Sequence, residues 1–495
     1  MKKARATVQL SDEFLAAIDA EGGRFVPPCP ERRSAPIPLW KIMKLYRENI
    51  IAVFSENDFR RPIIHGRYLA LDVYTVNDPA LVQETFQTKH EIFQRKTPQM
   101  RHALAPLLGD GLFVSDSETW KRRRAVVGPI IHTSKVRSFS PLMCETAVEW
   151  REHWQDLGDG AEVNVLAEMA ELTAEIISRT VFGRRLGREH TSEIVAGFAE
   201  YQKHIDQMDI PSVLGLPDWF PRPRGLKVGR ALRRVHGVID EIVERFEQGT
   251  GDAEAVIGQL FAARAEGAEG AEALDREAIR NEAIVIFMAG HETTANTLAW
   301  AWFLISQSSR VRDRLQDELA DVLEGRAPDI DDVRGLPYTR AIIEETLRLY
   351  PPVPILGRQA LADGDINGTQ VKRGSVVMVS PFMLHRKPDL WSRPDEFIPE
   401  RFDERLTPRP SKYAYIPFAI GPRICPGLTF GLTEAILCLA TLAQAFELDL
   451  AEGHVVRTQC RLTLRPGDTL PMLLRPRAAG APASAAGQPL TEAPA

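Results

Sequence analysis

One cysteine lies in a loop whose neighbours suit a metal-binding thiolate. Cys425 stands in the run FAIGPRICPG, directly before an apolar stretch that favours a helix. Unpaired N–H groups and the dipole at a helix N-terminus favour the thiolate form of a cysteine. Gly421 and Gly427 leave backbone room for a flat ligand. Arg423 offers a cation for a carboxylate, and Phe418 can keep water from the sulfur.

A second unusual group interrupts the longest stretch that favours a helix. Residues 275–309 contain no proline and would span roughly 50 Å as a helix. Gly290, Glu292 and Thr293 stand inside it, although glycine costs about 1 kcal/mol in a helix interior and a buried glutamate needs a partner. Such exceptions are expected at functional sites. The pair His291-Glu292 half-matches a zinc-protease helix, but Ala295 occupies the second histidine position, which excludes that motif.

Two further motifs carry arginines. Glu345 and Arg348 lie three residues apart, so they share one face of a predicted helix over residues 336–350 that Pro351 and Pro352 end. Alone, such a pair is a common surface ion pair of little worth. The run PERF, which contains Arg401, follows downstream.

In this order, the motifs resemble those of the cytochrome P450 family over roughly residues 40–476. The family's cysteine loop is matched by Phe418, Gly421, Arg423, Cys425 and Gly427, whereas Ala419 replaces the usual glycine or serine. The resemblance implies a mainly α fold with a small β-rich lobe, in a single large domain over residues 36–476. It also implies haem b, with its iron held by the Cys425 thiolate.

The resemblance further implies roles for individual residues. Gly290 makes room for oxygen, while Glu292 and Thr293 manage protons and water during O–O cleavage. Arg401 joins Glu345 and Arg348 in a buried structural triad. The haem propionates are expected to bind donors spread along the chain, namely Trp120, Arg124, Arg358, His385 and Arg423.

The implied reaction is a monooxygenation, in which one atom of O2 enters an apolar organic substrate. No sequence follows Ala495 that could form a flavin domain, so a separate ferredoxin or flavodoxin with its reductase is expected to supply electrons. Lys121, Arg122 and Arg123 are either part of its docking face or a solvated helix face. The predicted pocket wall is apolar and draws on Ile286, Phe287, Val353, Ile355, Leu356 and residues 98–112 and 196–216.

Alternatives stay open at this point. Within haem chemistry, the chain could be a peroxide-driven oxygenase, an isomerase or a dehydratase, but the intact Glu292-Thr293 pair favours the O2-dependent route. In another class, it could be a haem-binding sensor without catalysis. Such a sensor would not need the acid and the hydroxyl. Apolarity does not select a substrate.

Bulk properties exclude several other classes. The net charge of -6 gives no support for nucleic-acid binding. The five cysteines form no C-x-x-C pair, which argues against zinc ribbons and fits a cytoplasmic protein. No signal peptide and no apolar run long enough for a membrane anchor are visible. Inert burial is expected for Cys144, Cys438 and Cys460.

The remaining elements follow from periodicity and turn residues. Proline-rich residues 1–35 are interpreted as an N-terminal arm, and the Ala/Pro-rich residues 477–495 as a disordered tail. Helices are predicted over residues 120–131, 141–155, 165–182 and 428–446. A strand is predicted over residues 67–76, and hairpins over 364–380 around an Asn367-Gly368 turn. Residues 401–412 are predicted to be irregular.

Overall fold

The computed structural model describes residues 10–21, 24–35, 37–184, 188–205, 210–216, 219–222, 225–270, 274–460 and 462–477. The predicted disordered tail lies outside these residues, apart from residue 477. The helices of the protein are α1 Asp12–Ala20, α2 Leu39–Glu48, α3 Pro79–Gln83, α4 Pro98–Leu108, α5 Ser117–Ile130, α6 Val136–Leu157, α7 Val165–Phe182, α8 Arg188–His204, α9 Ile210–Val213, α10 Leu226–Glu247, α11 Val256–Ala265, α12 Arg276–Ser306, α13 Ser309–Leu323, α14 Pro337–Leu349, α15 Pro381–Leu384 and α16 Leu428–Ala443. Its strands are β1 Ile63–Tyr68, β2 Leu71–Val76, β3 Glu162–Asn164, β4 Leu356–Gln359, β5 Gly364–Ile366, β6 Thr369–Val371, β7 Val376–Val379, β8 Phe446–Leu450, β9 Gln459–Cys460, β10 Leu464–Arg465 and β11 Pro471–Pro476.

Helix α12 forms the centre of the helical part. The side chain of Asp275 accepts a hydrogen bond from the Ala278 N–H at 2.7 Å, so it caps the first turn. Most side chains of α12 are buried, and the helix packs along α7 and against α14 and α16. The prediction of a helix over residues 165–182 is confirmed, because α7 has these bounds. The axis of the fold is therefore an apolar helix that carries a few polar residues.

The β-rich lobe consists of small sheets, the largest with the order β1-β2-β7-β4. The prediction of one strand over residues 67–76 was wrong, because the chain reverses between β1 and β2. Leu69 makes this turn at φ 56°, and a leucine gives no sequence signal for a left-handed turn. The turn at Asn367 and Gly368 is confirmed, with φ values of 46° and 81°.

A buried ion network joins α14 to the segment that follows the small sheets. The Glu345 carboxylate accepts from Arg348 at 2.6 Å and from Arg401 at 3.3 Å, and all three side chains are inaccessible to solvent. Arg348 also donates to main-chain carbonyls of residues 385, 394 and 396. These bonds compensate the burial of the charges. The predicted triad is therefore present.

The described part of the N-terminal arm packs against the same segment. Leu15 and Ile18 of α1 are buried against Ile398. Arg24 donates to the carboxylate of Glu396 at 2.6 Å. The arm therefore adds a small apolar cluster and ion pairs beside the run that contains Arg401.

Candidate active site

The loop around Cys425 is fixed by its own main chain. The Cys425 N–H donates to the carbonyl of Phe418 at 2.9 Å, and the Ile424 N–H to the carbonyl of Gly421 at 3.0 Å. Gly421 has φ 75°, and a Cβ there would come within 2.2 Å of the Phe86 carbonyl oxygen. No side chain fits at this position, so the glycine is required. Ala419 also has a positive φ, 62°, which is where glycine is the easier residue.

The surroundings of the Cys425 thiol act on its charge in opposite directions. Burial raises the pKa of the thiol, whereas the Gly427 N–H and the positive charges of Arg124 and Lys96 lower it. Gly427 is also the N-cap of α16, so the sulfur lies beside the positive end of that helix. Because burial outweighs these contributions, the thiol needs a further cation to ionise, and a bound metal ion provides one.

Cations without acidic partners gather near this cysteine. Lys96 and Arg358 are buried and Arg423 is partly buried, and within the described residues none of them forms an ion pair with a carboxylate. Burial and the charges of the two arginines hold the pKa of Lys96 well below its usual range. Burial lowers the pKa of Arg358 to about 9 and that of Arg423 to about 10. An anionic ligand with more than one negative charge would neutralise such a cluster.

Helix α5 adds two predicted donors to the cluster. Trp120 and Arg124 lie four residues apart and so share one face of the helix. The Arg423 guanidinium lies 4.5 Å from the centroid of the Trp120 ring, and the centroid of the His90 ring lies 5.8 Å from that of Trp120. Neither His90 nor Lys96 is singled out by a sequence motif, and both were missed. Their only signal is tertiary, since they approach the other cations in space.

The buried middle of helix α12 is interrupted by a short, more exposed stretch around Gly290. Residues 281–288 are all buried, but Ala289 is exposed and Gly290 and Thr293 are partly exposed. The Thr293 hydroxyl donates to the Ala289 carbonyl at 2.6 Å. That Gly290 makes room for oxygen stays a prediction, and the structure adds a packing role for this glycine. A Cβ there would come within 2.7 Å of Ile177 Cδ1, so the absent side chain makes room for α7.

Glu292 points to different partners from its neighbour Thr293. Its carboxylate accepts from the Gln202 amide of α8 at 2.5 Å and from the Thr463 hydroxyl at 2.6 Å. Thr463 lies between β9 and β10 and in turn accepts from Asn296 at 3.1 Å. The acid is therefore partnered, as its partial burial requires.

His385 is not part of the site, and the prediction that it binds a propionate was wrong. Its ring is inaccessible to solvent, and its Nε2 accepts from the Ile416 N–H at 2.9 Å. Its Nδ1 faces the Arg348 carbonyl at 3.3 Å. Burial and the charge of Arg348 hold its pKa well below the usual range. Both nitrogens are thus used by the main chain, so neither can bind a ligand.

Two supporting predictions also change. Phe287 was predicted to line the pocket, but it is inaccessible and its ring lies 5.8 Å from that of Phe182, inside the core. Arg123 was predicted to belong to an exposed basic face. It is buried instead, where it donates to Asp110 at 3.0 Å and lies 3.6 Å from Glu282. Both side chains stabilise the packing between elements.

These residues fit a haem group. Cys425 offers a soft ligand for iron. The cations suit two propionates, and α12 exposes the methyl group of Ala289 and the hydroxyl of Thr293 beside Gly290. No described acidic side chain competes for Lys96 or Arg358. The fit to haem therefore rests on the Cys425 thiol and on the positive charge of the neighbouring lysine and arginines.

The comparisons with known proteins agree with that fit. The family model for cytochrome P450 matches residues 30–470. The chain is 30% identical over 415 residues to cyclooctatin synthase of Streptomyces melanosporofaciens, which covers 82% of this chain and 86% of that protein. It is 28% identical over 428 residues to the chloroplastic carotene epsilon-monooxygenase of Arabidopsis thaliana, covering 81% and 77%. The crystal structure of the cytochrome P450DA heme domain has the same fold, with a TM-score of 0.75, 24% identity and coverage of 92% and 99%.

The chain belongs to the cytochrome P450 family. It is a monooxygenase that binds haem b through a cysteine thiolate and needs O2, an organic substrate and a redox partner. Among the described helices, none is long and apolar enough to cross a membrane.

Proposed function

We propose that Cys425 is the iron ligand of a monooxygenase that inserts one atom of O2 into an apolar organic substrate. The observation that carries this assignment is the cluster of Lys96, Arg358 and Arg423 beside the cysteine, none of which forms an ion pair with a carboxylate of the described residues. Bound haem supplies the centre at which O2 is reduced and cleaved, and a thiolate ligand favours that cleavage. Burial and neighbouring acidic groups raise the pKa of the thiols of Cys144 and Cys438.

The cations and donors of the cluster would hold the propionates. We assign Arg358, Arg423, Arg124 and the Trp120 indole to this role, and we add Lys96, whose ammonium group lies 4.2 Å from the centroid of the Phe113 ring. Arginine and lysine bonds to carboxylates are charge-assisted and therefore strong. Phe418 supports the cysteine through its carbonyl, which accepts from the Cys425 N–H.

Thr293 and Glu292 are assigned to proton transfer. The Thr293 hydroxyl is held by the Ala289 carbonyl at 2.6 Å, so its oxygen can accept a further hydrogen bond on the open side of α12. Glu292 is anchored by Gln202 and Thr463. Each carboxylate oxygen accepts one of these bonds and keeps a lone pair that can accept a proton.

The substrate is assigned to the apolar class. Val353, Ile355 and Leu356 are partly exposed although apolar, and they lie between the end of α14 and the start of β4, the strand that begins at Leu356 and carries Arg358. Ile286 lies on α12 one turn before the exposed Ala289. One relative is named for carotene, a hydrocarbon, which is consistent with an apolar substrate.

A ferredoxin or flavodoxin is assigned as the electron donor, with its reductase. Arg122 is exposed on α5, next to Lys121, which pairs with Glu118 at 2.9 Å. Reversing the charge in R122E should slow reduction by an acidic donor at low salt by about tenfold, because charge complementarity steers association. R373E changes an exposed arginine outside α5 and serves as the control. Equal reduction rates for parent and R122E at low ionic strength would exclude docking at this position.

The assignment of Cys425 is tested by reducing the purified protein and adding CO. The parent protein should show the strongly red-shifted Soret band of a thiolate-ligated haem, and C425S should lose it while it still binds haem. C144S, at a partly buried cysteine of α6, should keep the band. Loss of the band in C144S alone would overturn the assignment. Oxygen consumption linked to reduced donor then tests the reaction, and product formation from peroxide without a donor would favour a peroxide-driven enzyme.

A further inference from the structure

The beginning of the chain crosses one short segment beside the buried triad of Glu345, Arg348 and Arg401. This N-terminal stretch is called the strap, and its described residues are 10–21, 24 and 25. The segment under it, residues 392–400, is called the triad segment. The strap lies before residue 30, where the match to the family model begins. Its contacts are therefore a feature of this chain and not of the matched part of the family.

The main chain of the triad segment binds the triad. The Ile398 N–H donates to the Glu345 carboxylate at 3.0 Å. The Glu396 carbonyl accepts from Arg348 at 3.0 Å, and the Arg393 carbonyl accepts from the third member of the triad at 2.8 Å. Three residues of the segment thus hold the triad with backbone groups, which leaves their side chains available for other contacts.

Two of these three residues bind the strap through charged side chains. Arg393 donates to Asp19 at 2.8 Å, and this bond lowers the pKa of the Asp19 carboxyl. Glu396 is buried and accepts two bonds from Arg24, at 3.0 and 2.6 Å. The same residue therefore contacts the triad with its backbone and the strap with its side chain.

The third residue, Ile398, binds the strap through an apolar contact. Its side chain is buried against Leu15 and Ile18, which lie three residues apart on one face of α1. Beside this contact, the Phe397 N–H donates to the Phe25 carbonyl at 3.1 Å. Partly exposed ion pairs contribute little each, whereas a buried aliphatic side chain contributes more. The apolar contact is therefore the main attachment of the strap.

The triad is also joined to the cysteine loop. Arg348 donates to the His385 carbonyl at 2.7 Å, and the His385 ring accepts from the Ile416 N–H at 2.9 Å. The Ile416 carbonyl accepts from the N–H of Ala419, in the loop of Cys425, at 3.1 Å. Consecutive hydrogen bonds therefore connect the residue that the triad segment holds with the loop that carries the cysteine.

We propose that the strap slows the opening of the triad segment and, with it, the loss of haem. Parts of a folded protein open locally, with free energies set by their own contacts. The strap supplies the outer contacts of residues 392–400, so its release lowers the free energy needed to open them. The effect on haem rests on the proposed role of Cys425, because it acts through the cysteine loop. The effect on the segment does not depend on that role.

The proposal is tested by hydrogen exchange of the haem-loaded full chain. L15D/I18D places two charges against Ile398, so the Ile398 amide should exchange about tenfold faster or more, while amides of α7 keep their rates. Haem transfer to a scavenging globin should be faster by about the same factor. A16D/A20D is the matched control, because it adds two aspartates on the exposed side of the same helix. This control should exchange and retain haem like the parent.

A charge exchange separates a specific contact from a general defect. D19R should speed exchange at Ile398 because it brings two arginines together, and D19R/R393D should restore the slower rate. Aspartate tolerates the positive φ of 44° at position 393. Equal exchange in parent and L15D/I18D, or no restoration in D19R/R393D, would refute the strap. Faster exchange with unchanged haem transfer would refute its effect on haem, whereas a different iron ligand would leave the exchange result unchanged.

Discussion

Glu434 is a buried carboxyl group without a cation beside it, and E434Q should stabilise the protein at neutral pH. The side chain lies on α16 and is inaccessible to solvent. Neither of its oxygens has a well-formed hydrogen bond among the described residues. Burial raises the pKa of this carboxyl to about 8, against a partial opposing effect of the Thr294 hydroxyl. The folded protein therefore holds a proton that the unfolded chain releases.

The sign and size of the effect follow from this difference in pKa. Because the folded pKa of Glu434 is about 8 and its ordinary value is 4.5, the folded state binds more protons between these two values. The stabilising contribution is therefore complete below pH 4.5 and is lost as the pH rises toward 8. Between pH 5 and pH 7 the loss is about 2–3 kcal/mol. Glutamine has a similar shape and does not ionise, so E434Q should not lose this free energy.

Haem-loaded parent and E434Q are unfolded with urea at pH 5, 6, 7 and 8. The quantity measured is the difference in free energy of unfolding between the two proteins at each pH. Glu282, whose pKa burial raises to about 7, also makes stability fall with pH, but it is present in both proteins and cancels in the difference. The difference should grow in favour of E434Q by about 2–3 kcal/mol from pH 5 to pH 7. A difference independent of pH, or one that favours the parent more at pH 8 than at pH 5, would refute the assignment of a protonated Glu434.

Two further predictions concern charged groups with and without partners. E345Q should lower the free energy of unfolding by about 3–5 kcal/mol at pH 7, since it leaves Arg348 and Arg401 buried without a carboxylate; a loss under 1 kcal/mol would contradict the buried triad. K96M should release haem to a scavenging globin about 10–100-fold faster, through loss of a charge-assisted bond, while apo-protein stability rises because repulsion with Arg358 ends. K96R should retain haem nearly as well as the parent, and faster loss from K96R than from K96M would contradict a role for the charge.

The sequence predicts the parts of the site that depend on local geometry. The loop from Phe418 to Gly427 is a contiguous motif, and its glycine at φ 75° is needed whatever the rest of the chain does. The helix over residues 165–182 follows from apolar periodicity alone. The reversal at Leu69 could not be predicted in this way, because leucine is a poor turn residue and the strand pairing imposes the turn.

The parts that were missed depend on which side chains meet in space. Lys96 and His90 belong to no motif, and their relevance appears only when they are seen to approach Arg358 and Arg423 in space. The position of His385 in the sequence is compatible with a propionate ligand. Its ring instead bonds to the main chain at residues 348 and 416, and these long-range contacts cannot be read from the sequence. Gly290 shows an intermediate case. The sequence indicates that a glycine is needed there, and the structure shows that a Cβ at this position would also come too close to Ile177.

The buried charged groups of this chain fall into two classes, and the division itself supports a bound anion. Glu345 is neutralised by Arg348 and Arg401, and Glu400 by Arg310 together with Arg314 at 3.0 Å. These sets are complete within the protein, so they can stabilise the fold without a ligand. Lys96 and Arg358 are buried at a comparable depth but have no such partner among the described residues. The two propionates of a haem would supply the missing negative charge, and Cys425 lies close enough to Lys96 to offer a ligand to the iron of the same group.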